Sequence, residues 1–156
     1  MAKGLLDTNA LVLLARITQT DALPDQPLIS SITLAELSVG PLVASNEHER
    51  ASRQNLLQAT EAAFDPLPFD AAAARAFGGV ASSLRRSGRK PAARAYDALI
   101  AAVAISSDLP LHTCNPRDFA GIEHLQVVAI AHPDSAIEAI GRNDEQAEAD
   151  GGDLTM

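Results

Sequence analysis

Gly4-Leu5-Leu6-Asp7-Thr8-Asn9-Ala10-Leu11-Val12-Leu13-Leu14 sets the reading of the whole chain. A short apolar run ends at an acid, and Ala10, Leu11, Leu13 and Leu14 then fall on one helical face, so the stretch reads as a strand passing directly into a helix. The pattern returns downstream. Pro27-Leu28-Ile29 is a second extended piece, followed by Ser30, Ser31 and Thr33 as candidate caps for a helix running through Val39 and stopped by Gly40-Pro41. A long polar helix is expected from about Ser45 to Ala63. Residues 64–69 carry Pro66 and Pro68, which suits an edge strand, and Asp70 can cap an alanine-rich helix towards Leu84 that Gly78-Gly79 can bend. Pro91 opens a helix to about Ser107, with Tyr96, Leu99, Ile100 and Val103 as its apolar stripe. Leu109 to Thr113 reads as a strand, Pro116 to Phe119 as a helical turn, and Leu125 to Ile130 as a last buried strand. Such alternation predicts an α/β fold with right-handed crossovers and a mostly parallel sheet covered on both faces. Functional groups gather outside the carboxyl ends of such strands.

The 156 residues, 47% of them hydrophobic and 21% charged, lie near globular averages, which excludes wholesale disorder. The longest apolar runs, Ala10 to Ala15 and Ala98 to Ile105, fall far short of the roughly 20 residues that cross a bilayer, and the N-terminus lacks a signal-peptide pattern. A cytoplasmic protein with no membrane partner is expected. Cys114 is the single cysteine, so neither an intramolecular disulfide nor a cysteine-based zinc site can form. The net charge of −8 is concentrated at the end: residues 143–156 carry Asp144, Glu145, Glu148, Asp150 and Asp153 and no base. We therefore expect one domain over 1–142 and an acidic, disordered tail over 143–156. A globally acidic protein needs a local basic strip or bound cations to hold a polyanion. Arg85, Arg86, Arg89, Lys90 and Arg94 supply such a strip, although a solvated loop and helix end would show the same residues.

Each acid has an ordinary explanation by itself. Asp7 can cap the helix it opens, and Glu36, three residues after Thr33, has the spacing of a capping box. Glu36 also shares a helical face with Ile32 and Val39, which turns its carboxylate inward. Asp97 is expected about two turns into an alanine-rich helix, beside Ala101 and Ala104, where capping does not explain it. A pair with Arg94 is the plain alternative. Asn115 can cap the short turn, with Asp118 as its reciprocal partner. Taken together, however, Asp7, Glu36, Asp97 and the Asn115/Asp118 pair all follow strands or open helices, and in a parallel sheet those places share one edge. Like charges about 4 Å apart repel by about 4 kcal/mol at an effective dielectric of 20, so something positive must sit among them. Oxygen-only ligands select a hard cation such as Mg²⁺ or Mn²⁺, and magnesium favours a phosphate ester as substrate.

These stretches resemble the motif set of the PIN-domain nucleases, in particular the VapC-type toxins of toxin–antitoxin pairs. Leu5-Leu6-Asp7-Thr8-Asn9 is similar to the opening strand and first acid, and Ser31-Ile32-Thr33-Leu34-Ala35-Glu36-Leu37 to the second motif. Tyr96-Asp97-Ala98-Leu99-Ile100-Ala101-Ala102 resembles the third. Thr113-Cys114-Asn115-Pro116-Arg117-Asp118-Phe119 resembles the fourth, with its acid at Asp118 and Asn115 where some relatives have Asp. The likeness covers about residues 3–132. It implies a three-layer α/β/α fold with a central sheet of four or five strands, and a Mg²⁺-dependent endoribonuclease toxin cleaving RNA through a metal-activated water. Asp7, Glu36, Asp97 and Asp118 would be catalytic, Asp7 and Asp97 would hold Mg²⁺, with Mn²⁺ a possible substitute, and Thr8, Thr113 and Asn115 would support them. Arg85, Arg86, Arg89, Lys90 and Arg94 would bind RNA. It further implies a homodimer and a cognate VapB-type antitoxin that can place an Arg in the acidic pocket, with Leu34 to Val43 and the third helix as possible docking surfaces.

Other readings fit less of the chain. An aspartate-nucleophile phosphatase needs a second Asp two residues after the first, where Asn9 stands. A receiver domain expects an adjacent acidic pair early and a late Lys, and Lys90 is the only lysine beyond Lys3. A non-catalytic PIN-like protein that sequesters RNA or an antitoxin is the alternative of a different class.

Overall fold

In the computed structural model, residues 1–135 are described; the acidic tail and the last residues of the expected 1–142 domain lie outside them. Strand β1 (Lys3–Leu6) passes through Asp7 into α1 (Thr8–Leu13), and β2 (Gln26–Leu28) leads into α2 (Ser31–Val39). Helices α3 (Glu47–Ala63), α4 (Ala71–Arg86) and α5 (Ala95–Ser106) follow, then β3 (Leu111–Thr113) and β4 (Val127–Ala129). The sheet has four strands in the order β2-β1-β3-β4, and every pairing is parallel, with Leu5 beside Leu28, Leu6 beside His112 and His112 beside Val128. All four strands therefore end at one edge.

Alternation along β1 explains the layers. Leu5 and Leu111 bury against α4 and α5 with Phe119 and Ile122, whereas Leu6 packs on the opposite face with Ala10, Leu11, Ile29, Leu37 and Ile130. Two cores on two faces make the expected α/β/α arrangement. Among the described residues, no helix is long and apolar enough to cross a membrane.

Several local expectations need correction. Residues 64–69 form no regular strand; a single parallel bridge joins Leu67 to Ser30, because Pro66 and Pro68 have no N–H to extend a ladder. Strand β4 is a three-residue edge with Ala129 exposed, not a buried strand. Helix α2, by contrast, ends at Val39 with Gly40 as its C-cap, as expected, and a separate 3-10 turn follows over Gly40–Val43. Pro91 opens a 3-10 turn (Pro91–Arg94), and α5 starts only at Ala95, so Asp97 stands in its first turn rather than two turns in. The expected stripe on α5 is also replaced: Ala98 and Ile100–Ala104 are buried in near-unbroken succession, while Tyr96 is 54% exposed. A helix enclosed on several sides shows no single apolar stripe.

Gly4 fixes one further contact. A Cβ there would lie 2.3 Å from Nε2 of His112 and 2.9 Å from Cβ of Pro24. His112, buried on β3, bonds the Ala22 carbonyl through Nδ1 at 2.7 Å, tying the α1–β2 loop to the sheet.

Candidate active site

Asp7 leaves β1 in an extended conformation and caps α1, its Oδ1 accepting the Ala10 N–H at 2.8 Å. Its other oxygen accepts the Thr113 hydroxyl at 2.5 Å, from the end of β3. The capping reading is thus correct but incomplete, because the same carboxylate is 4% exposed and faces the strand edge. Burial pushes its pKa up, the bonds from Thr113 and Ala10 oppose that, and the charge of Asp118 adds to the rise.

Glu36 does not close a capping box. The cap of α2 is Ser30, whose hydroxyl accepts the Thr33 N–H at 3.3 Å. Glu36 is instead held by the Thr8 hydroxyl at 2.7 Å, and Thr8 lies 3.1 Å from the Thr33 hydroxyl. Burial raises the Glu36 pKa, Thr8 opposes it, and Asp7 contributes repulsion. Asp97, one helical turn from the 3-10 segment, has its pKa raised to about 6, first by burial and then by the charges of Asp118, Asp7 and Glu36. Arg94 opposes this weakly, from 3.9 Å. Arg94 does not neutralise Asp97, because its main partner is the carboxylate of Asp118.

Asn115 does not cap its turn with its side chain; it donates through Nδ2 to Oδ2 of Asp118 at 2.8 Å. Its backbone N–H donates to the Thr113 hydroxyl at 3.0 Å, which extends the chain of contacts to Asp7. Asp118 therefore has one oxygen on Arg94 and the other on Asn115. Glu36, Arg94, Ala95, Tyr96 and Asp97 line a cleft of about 170 Å³. Asn9, Cys114, Asn115 and His132 line a neighbouring groove; Asn9 and His132 were not singled out from the sequence for this place, and only the nearness of Asn9 to Asp7 could have signalled it.

The basic strip does not form one surface. Arg94 reaches the acids, Arg89 donates to the Asp118 carbonyl at 3.2 Å, and Arg86 pairs with Glu123 at 2.9 Å in a different cleft shared with Arg75 and His124. Arg85 and Lys90 are exposed and have no ion pair among the described residues.

Asp7, Glu36 and Asp97 feel one another's charge, yet among the described residues no three His, Cys, Asp or Glu side chains form a ready-made cage for an ion. Repulsion favours rotamers that spread the carboxylates, and Glu36 and Asp97 are only half-buried, free to turn. Oxygen donors with unused lone pairs, whose pKa values are raised first by burial and then by neighbouring carboxylates, fit a hard divalent cation.

The comparisons with known proteins agree with this arrangement. The PIN domain family matches residues 4–125. Ribonuclease VapC5 of Mycobacterium tuberculosis is 37% identical over 131 residues, which covers 83% of this chain and 94% of that protein. Ribonuclease VapC of Rickettsia bellii is 28% identical, covering 81% and 95%. Among solved structures, VapBC-5 of Mycobacterium tuberculosis, a member of the VapBC family of toxin–antitoxin systems, superposes with a TM-score of 0.72 at 33% identity, covering 83% of this chain and all of the other. PIN-domain ribonucleases depend on metal as a family. With four motifs on one strand edge and this likeness along most of its length, the chain belongs to the PIN-domain family, among its VapC ribonucleases.

Proposed function

We propose that this ribonuclease is the toxin of a toxin–antitoxin pair, acting in the cytoplasm with Mg²⁺, for which Mn²⁺ can substitute. The reading is carried by one observation: at the carboxyl edge of the sheet Asp97 is half-buried and meets the charges of Asp118, Asp7 and Glu36, acids of the other three motifs, so that burial first and then those charges drive its carboxyl to about 6. Asp7 and Asp97 would hold the cation, with Glu36 beside them and Asp118 as the fourth acid of the set. When bound, Mg²⁺ supplies charge stabilisation for in-line displacement at phosphorus by water, which leaves 5′-phosphate and 3′-hydroxyl ends. The chain's own residues do the positioning. Thr113 fixes one oxygen of Asp7 and the Ala10 N–H fixes the other, so that carboxylate has a single orientation. Thr8 holds one oxygen of Glu36 and leaves the second to accept a hydrogen bond from the attacking water. Arg94 offers positive charge beside the cleft, and of the remaining basic run Arg85 and Lys90, exposed and without an ion pair among the described residues, are the side chains left to meet RNA phosphates, while Arg86 and Arg89 are held by Glu123 and the Asp118 carbonyl.

A VapB-type antitoxin would lie along α2 and α3. Val39 on α2, Leu42 and Val43 on the 3-10 turn that follows it and Val12 on α1 are exposed, and Thr8, Val12, Glu36, Leu37, Gly40, Arg53 and Leu56 line a groove of about 260 Å³. An antitoxin Arg reaching from that groove would meet the acids bidentately. The toxin itself would be a homodimer.

Purified protein incubated with total cellular RNA, in Mg²⁺, Mn²⁺ and chelator in turn, followed by sequencing of new 5′ ends, tests the proposal. Discrete new ends are expected with either cation, and none in chelator or with Asp7→Asn. The competing reading, a PIN-like protein that only sequesters RNA or an antitoxin, draws on the spread of the acids. It expects RNA retained and uncut.

A further inference from the structure

Asp7 and Asp118 each have both oxygens engaged, but of the four acids only Asp118 is hydrogen-bonded by a cation among the described residues: one oxygen by the guanidinium of Arg94, the other by Asn115. Asp7 is fixed but keeps lone pairs, Glu36 has a single donor, and Asp97 has only a distant cation. A carboxylate shared between an arginine and an amide is poorly placed to hold an ion, but well placed to hold the arginine. Arg94 contacts Asp118 and Asp97 through the same nitrogen, Nη1, and its Nε and Nη2 have no protein partner among the described residues. It nevertheless lines the cleft with Glu36 and Asp97, where an entering phosphodiester meets two negative side chains.

A staple for the fold is the simpler role for this pair. The turn that carries Asp118 is already tied to the same basic loop by Arg89, which donates to its carbonyl, and Phe119 buries beside it. Arg94 and Asp118 also keep 37% and 21% of their side-chain surface open. A staple needs neither free donors nor a place in the cleft.

Resting on the proposed RNA cleavage at this site, we propose that Arg94 binds a phosphate of the RNA in the acidic cleft through its free donors, and that Asp118, steadied by Asn115, is the positioning residue that aims it. The planar guanidinium suits this, since it can serve a carboxylate on one side and a phosphate on another.

Binding of a labelled single-stranded RNA oligonucleotide in chelator, across a salt series, tests this with R94A, D118N and the double variant; Mn²⁺ affinity of each protein without RNA is measured by calorimetry. R94A is expected to weaken RNA binding roughly tenfold and to reduce the slope of log affinity against log salt by about 0.7, the value for one contact on a single strand. D118N is expected to weaken RNA binding as well, although it removes a negative charge and bulk electrostatics alone would tighten it. The double variant should bind no more weakly than R94A, and Mn²⁺ affinity in D118N should fall by less than about tenfold, as expected for the loss of one nearby charge, whereas a general loss of structure would exceed that. RNA binding by D118N equal to or tighter than wild type, additive losses in the double variant, or a fall in Mn²⁺ affinity on the order of tenfold would each overturn the inference. If the wild-type protein cleaves RNA while D118N binds it undiminished, only this inference fails; a wild-type protein that neither binds nor cuts RNA removes the proposed function with it.

Discussion

Replacing Asp97 by Asn should stabilise the metal-free protein, and the size of the effect can be worked from its surroundings. Burial and three like charges lift its carboxyl from 3.8 to about 6. The folded chain therefore holds this proton more tightly than the unfolded chain does. Between pH 3.8 and about 6 the folded state binds more protons, so stability is lost as pH rises through that window, and the penalty is complete above it. Two units correspond to about 3 kcal/mol, but a third of the side chain faces solvent, and screening reduces this to about 1–2 kcal/mol. Asn removes the charge without breaking a close bond, because among the described residues the only partner of Asp97 is Arg94 at 3.9 Å. Urea denaturation in chelator should show the variant more stable by about 1–2 kcal/mol near pH 7.5, with a midpoint of melting higher by about 2–8 °C, and no difference near pH 3.5. Saturating Mg²⁺ should reverse the order, since at 100 times the dissociation constant a ligand adds about 2.7 kcal/mol to the protein that binds it. A variant no more stable than wild type near pH 7.5 in chelator would refute the claim that these acids repel one another.

Thr113→Val removes the donor to Asp7 and the acceptor of the Asn115 N–H at a fully buried position. It should cost about 1–3 kcal/mol in denaturation and lower Mn²⁺ affinity by 10- to 100-fold or so in calorimetry; full Mn²⁺ affinity would remove Thr113 from the site. Gly4→Ala places a methyl group 2.3 Å from His112 Nε2 and 2.9 Å from Pro24, so a loss of about 1–3 kcal/mol is expected, read as a lower urea midpoint. Deleting residues 143–156 should leave RNA cleavage unchanged, measured by initial rate on one oligonucleotide; a large loss would give the acidic tail a part in the enzyme.

How far the sequence could be read depends on whether a residue's role is local. Asp7, Asp70 and the Pro116 turn were legible, because a cap or a turn is decided within three or four residues. Parallel topology followed from alternation, and the four motifs announced the acids. The partners of those acids were not legible. Glu36 had capping-box spacing from Thr33, but a residue 28 positions away holds it, and Arg94 is separated from Asp118 by 24 positions. Nothing in local spacing carries that information. Tyr96 shows the same limit: the period of α5 placed it in the core, but the 3-10 turn before Ala95 and the enclosure of the helix leave it at the cleft. The basic run reads as one patch along the chain, yet loop geometry sends Arg86 to Glu123 and Arg94 to Asp118.

The enclosure of α5 also bears on how this enzyme wears out. Five successive residues, Ile100 to Ala104, are completely inaccessible to solvent just after Asp97. The carboxylate is thus mounted on a beam that cannot shift or fray by itself, because every excursion would open the interior around Ala98, Leu5 and Leu111. On warming, loss of cutting power and collapse of the whole domain should arrive together, with no gentler stage at which the blade is blunted while the handle survives.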